Sequence, residues 1–92
     1  MEILEEVANV LKIDREMLVK NSLKFFLNKE LSNTEAEMFK IASRHGIKSV
    51  LEFDELLKGG KVKEEDIIDD FMEFDYLETR KDELLEVIEK LR

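Results

Sequence analysis

The sequence predicts an all-α protein of four to five helices, one or two of them long, arranged as a helical bundle or hairpin that homodimerisation completes. Three observations predict it. Apolar residues recur at helical spacing and nowhere alternate as in a sustained strand. Proline is absent and glycine occurs only at positions 46, 59 and 60, so long stretches contain no helix breaker. Capping residues stand where helices should start, at Asp14, Ser32 and Ser49.

The first helix is "EILEEVANVLKI", with Ile3, Leu4, Val7, Val10 and Leu11 on one stripe. It ends before Asp14, whose carboxylate caps the next helix, and Ile13 and Leu18 flank that cap as a hydrophobic staple. The second helix is apolar over most of its circumference. Met17, Leu18, Val19, Leu23, Phe25, Phe26, Leu27 and Leu31 fit no single narrow stripe, which predicts a helix covered on more than one side. Part of that cover is expected from a second copy. Ser32 and Glu35 have capping-box spacing and offer an alternative start. With no breaker before Gly46, however, the reading is one helix over residues 14–45, about 48 Å long. Arg44 and His45 suit its negative end, and Gly46 supplies the left-handed stop.

Ser49 and Glu52 form a further capping box that opens "VLEFDELLK", with Leu51, Phe53, Leu56 and Leu57 apolar. Gly59 and Gly60 end it. After "GGKVK", residues 64–91 contain no breaker and predict one helix of about seven to eight turns.

That last helix opens with "EEDIIDDFMEFDYLE", which carries eight acids and no base. Placed about 100° apart, Asp66, Asp69, Asp70 and Glu73 share one sector, while Ile67, Ile68, Phe71, Met72 and Phe74 lie opposite. Asp75 falls near the middle of the apolar face, which predicts a packing gap or a paired cation there. Beyond Tyr76 the apolar positions Leu77, Leu84, Ile88 and Leu91 centre on the former acidic sector. A swing of more than roughly 90° exceeds ordinary drift against a heptad. It predicts that one half packs within the protomer and the other on another chain. Two candidate sets follow. The partner-binding set is Asp66, Asp69, Asp70, Glu73 and Asp75 with Phe71, Met72, Phe74 and Tyr76. The dimerisation set is Phe25, Phe26, Leu77, Leu84, Ile88 and Leu91.

A chain of 92 residues is read as a single domain, 1–92. Residues 1–48 hold eight basic and eight acidic side chains, whereas residues 49–92 hold seven against fifteen, so the whole net charge of −8 sits in the second half. An acidic half attracts basic surfaces and repels phosphate backbones, so direct nucleic-acid binding is not expected. Without cysteine there is no disulfide framework and no thiolate zinc site. No apolar run exceeds three residues and "MEILEE" lacks a basic leader, so neither a membrane span nor export is expected, and the expected location is cytoplasmic. Abundant Glu and Lys, with no Pro, Cys, Trp or Gln, match the bias of proteins from hot-living organisms. The single histidine sits at a helix end, and no Gly-rich phosphate loop, Glu-x-x-His pair or D-x-D-x-D-G loop occurs. Neither an enzyme nor a bound cofactor or metal is therefore expected.

The segment "RHGIKSVLEFDELLKGGKVKEEDIIDDFMEFDYLETRKDEL" resembles a group of small archaeal and bacterial helical proteins, many of them uncharacterised. Their pattern combines a Tyr/His-Gly-hydrophobic turn, a Ser-capped short helix, a Gly-x-Val connector and a Leu-Glu-x-Arg helix. The matching residues are His45, Gly46, Ile47, Ser49, Gly60, Val62, Asp70, Leu77, Glu78 and Arg80. Upstream, "LKIDREMLVKNSLKFFLNKEL" resembles the helical segment of small antitoxin-type proteins encoded beside a toxin. The resemblance implies a non-enzymatic partner protein, antitoxin-like, that neutralises a basic partner through its acidic C-terminal half. The residues themselves leave two alternatives: a scaffold homodimer with a solubilising acidic face, and a carboxylate metal-binding protein.

Overall fold

The computed structural model describes residues 2–59 and 64–92, apart from the side chains of residues 50 and 64–66. The candidate Asp66 therefore lies outside the described side chains. Four helices follow one another: α1 (Glu2–Leu11), α2 (Arg15–His45), α3 (Val50–Lys58) and α4 (Glu64–Lys90). No strand occurs among the described residues, as the periodicity predicts. None of the described helices is long and apolar enough to cross a membrane.

Local signals set the helix ends. α1 stops where the Ile13 N–H donates to the Ala8 carbonyl at 3.1 Å and the Lys12 N–H to the Asn9 carbonyl at 3.2 Å. This pattern needs a left-handed residue, and Lys12 takes that position with φ 58°. Asp14 then caps α2 by accepting the Met17 N–H at 2.9 Å. α2 runs unbroken for 31 residues. The box at Ser32 is not used. Instead Thr34, buried within the helix, donates its hydroxyl to the Glu30 carbonyl at 2.8 Å. Gly46 ends α2 at φ 64°, with the Ile47 N–H bonded to the Ala42 carbonyl at 3.0 Å. Ser49 caps α3 through the Glu52 N–H, and the Glu52 carboxylate turns back to accept the Lys48 N–H rather than that of Ser49.

α2 and α4 form an antiparallel hairpin. His45 meets Asp70, Glu30 meets Arg80, and Leu91 shares a groove with Val19 and Leu23. Among the buried or half-buried positions of α4 and the residue after it, Ile67, Phe71, Phe74, Leu77, Lys81, Leu84, Ile88 and Leu91 form a seam whose steps of three and four average about 3.4, close to the 3.5 of a heptad. The expected swing of the apolar face does not carry either half of α4 away from α2. Both halves of α4 pack on α2. A 3.5-residue seam slips about 20° per heptad against a straight helix, so over the length of α4 it mimics a change of face. Asp75 is exposed rather than set in the apolar face, and neither a gap nor a cation explains it.

The main core lies where α3 closes the hairpin. Ile41, Ile47, Phe53, Ile67, Phe74 and Leu77 are buried together there. Phe53 has no exposure, and its ring meets those of His45, Phe74 and Phe71 at 5.0, 5.5 and 5.7 Å. The molecule is a rod of 61 × 20 × 19 Å. Its radius of gyration is 19.2 Å, against about 12 Å for a compact domain of this length.

Candidate functional site

The acidic stretch of α4 divides its residues between inside and outside. Asp70 is half-buried, and one carboxylate oxygen lies 2.9 Å from His45 Nε2 and 3.4 Å from Arg44. Since the His45 ring also packs on Phe53, Asp70 fastens the end of α2 to α4 and is engaged within the protomer. Phe74 and Leu77 belong to the core, and Phe71 stands edge-on to Phe53. Phe74 and Leu77 are thus engaged in the protomer's own core, which sets Phe74 apart from the rest of the partner set and Leu77 from the rest of the dimerisation set. Besides Asp75, what remains outward is Asp69, Met72, Glu73 and Tyr76. Their i, i+3, i+4, i+7 spacing makes one stripe in which two large apolar side chains, 63% and 61% exposed, alternate with carboxylates. Among the described residues, no group of three or more His, Asp or Glu side chains is placed to hold a metal ion.

The remaining members of the dimerisation set are scattered. Phe25 and Phe26 are exposed, while Leu84, Ile88 and Leu91 are half-buried along the hairpin seam. Phe25 and Phe26 stand about 100° apart on α2, so they look out on different sides.

The geometry adds two surfaces that the sequence reading missed. On one side of the seam, Val19 and Leu23 of α2 share a groove with Leu91, just beyond α4, and by helical spacing Phe26 of α2 and Leu84 and Val87 of α4 continue that side. The ion pair between Glu30 and Arg80, at 3.1 Å, crosses the seam beside them. Its hydrogen bond to Glu30, followed by one to Tyr76, raises the Arg80 guanidinium above its ordinary pKa. Spacings of three and four flanking the seam were the signal available in the sequence, but they become readable only once the seam is known. The second surface is an open cleft of about 550 Å³ between Phe39, Met38, Ala42, Ile47 and Phe74, with Glu35, Lys48 and Lys81 also on its lining.

No solved structure matches this chain. A protein of Methanocaldococcus jannaschii, "Uncharacterized protein MJ0235", is 29% identical over 76 residues, which cover 83% of this chain and 93% of the relative. Its name mentions no antitoxin, so the expected archaeal relationship is met and the antitoxin part of the resemblance gains no support from it. The model of the uncharacterized protein MJ0235 family matches residues 1–92 from end to end, and the chain belongs to that family.

Proposed function

We propose that this protein is a non-enzymatic protein-interaction module whose acidic C-terminal half receives a basic partner, in the manner of an antitoxin. The outward stripe of α4 carries this reading. Asp69 and Glu73 flank Met72 and Tyr76, so the surface offers apolar contact and negative charge together. A cationic amphipathic segment satisfies both, because its apolar residues cover Met72 and Tyr76 while its bases meet the carboxylates. The net charge of residues 49–92 adds long-range attraction that speeds encounter and weakens with salt.

The test is binding to a basic protein encoded beside this gene, measured by calorimetry at low and high salt. Binding should weaken steeply as salt rises. The double variant Asp69→Lys, Glu73→Lys should bind at least tenfold more weakly while keeping the wild-type helix content. An unchanged affinity in that variant, or no basic neighbour that binds, defeats the reading.

A further inference from the structure

We infer that a second copy of this chain covers the face formed by Val19, Leu23 and Phe26 of α2 with Leu84 and Val87 of α4 and Leu91 just beyond it, closing the two-helix hairpin into a four-helix bundle. The inference goes beyond the acidic stripe and stands independently of it.

The six residues make one continuous face. On α2 they recur at i, i+4, i+7, and on α4 at i, i+3, i+7, so each set forms a stripe. Leu91 shares a groove with Val19 and Leu23, which joins the stripes at one end. At the other end, Glu30 lies four residues beyond Phe26 and reaches Arg80, four residues before Leu84. Val19, Leu23, Phe26 and Val87 therefore flank the seam on the same side, with Leu84 and Leu91 at its margin. Val19, Leu23, Phe26 and Val87 are 38%, 48%, 60% and 43% exposed, so this is an exposed apolar surface of the single chain.

Area and charge select the occupant. The chain exposes 7183 Å², whereas a compact protein of its mass exposes about 5600 Å². The excess of about 1600 Å² is spread along the rod, and it leaves room for the roughly 800 Å² that each partner contributes to a standard interface. A chain meeting its own copy also meets its own charge. The stripe of Asp69 and Glu73 would repel itself, but this face carries the internally neutral Glu30–Arg80 pair, with Arg15, Glu16 and Lys20 at its edge. A two-fold pairing sets the same patch against itself, which requires a surface without strong charge of one sign.

Light scattering and sedimentation of the full chain at micromolar concentration should give twice the 10.9 kDa chain mass. The double variant Leu23→Asp, Val87→Asp should lower self-association at least a hundredfold, while Phe25→Asp, on another side of α2, should leave the dimer intact. Loss of the dimer and loss of the fold would look alike in that variant, so a second measurement keeps the dimer native. The chain has no cysteine, which allows single thiols to be introduced one at a time. Val87→Cys should react with a maleimide at least tenfold more slowly than Leu51→Cys. A monomeric wild type overturns the inference. So does a dimer in which the Val87→Cys thiol reacts as fast as the Leu51→Cys thiol, or one broken by Phe25→Asp but not by the double variant. A monomeric double variant that still binds the basic partner separates this inference from the acidic-stripe reading.

Discussion

At the end of the rod closed by α3, six apolar side chains are buried together and Phe53 is sealed completely. At the other end, where α1 folds against α2, Ala8 is the only fully buried one of the described residues, although Val7, Val10, Leu11, Leu23 and Phe26 are all larger. Apolar content does not explain the contrast, because both ends are rich in it. The number of elements that meet does. α3 and the link before it supply a third wall over the α2–α4 seam, so Phe53 is enclosed from every side. α1 has a strong apolar stripe but turns only its edge, Leu4 and Ala8, inward, leaving Ile3, Val7, Val10 and Leu11 outside. One end completes its core alone, and the other presents unfinished surface.

The sharpest way to break that contrast is to truncate one phenylalanine at each end. Phe53→Ala should cost about 3–5 kcal/mol in urea denaturation, since it empties a fully enclosed site. Phe25→Ala, at 73% exposure, should cost no more than about 0.5 kcal/mol. Equal losses would mean that the two ends are equally well packed. The acids of α4 allow a finer comparison. Asp70→Ala removes the partner of His45 and should cost about 1–2 kcal/mol. Its exposed neighbour gives Asp69→Ala an effect within about 0.5 kcal/mol. If the two variants melt alike, the fastening role of Asp70 is wrong.

The two left-handed helix stops predict effects of opposite sign. Gly46→Ala places a Cβ where nothing lies within 4 Å, so its loss of about 1 kcal/mol should come from φ alone. Lys12 already bears that kind of cost at the open end. Lys12→Gly should therefore raise stability by up to about 1 kcal/mol, read as a higher melting temperature. A lower one would show that the lysine side chain contributes more than its backbone costs.

The features legible in the sequence were those decided within a few residues. Asp14, Gly46 and Ser49 mark helix ends because a cap and the groups it satisfies lie within one turn. The unbroken course of α2 was legible from the lack of any breaker, and the spacing of Ser32 and Glu35 does not interrupt it. The seam of α4 was not legible. Lys81 occupies a half-buried seam position and Glu78 is half-buried beside it, so an apolar-only pattern gives no continuous stripe to follow. His45 was accounted for locally as a helix-end residue, and nothing in its neighbourhood points to Asp70, 25 residues away. The outward stripe of Asp69, Met72, Glu73 and Tyr76 was half legible. Its residues were identified, but separating them from Asp70, Phe71 and Phe74 required knowing which side of α4 faces α2.

The Glu30–Arg80 tie has a consequence for sliding. A seam that repeats every 3.5 residues is a ratchet, and one helix can in principle move past the other by a heptad, about 10 Å, and reseat its apolar residues. A slip in one direction brings Glu30 opposite Glu73, and in the other opposite Val87 while His45 meets Leu77. Either shift trades an ion pair for repulsion or for a stranded charge. Two polar ties well apart on the rod thus act as a vernier, fixing which tooth of the ratchet is engaged.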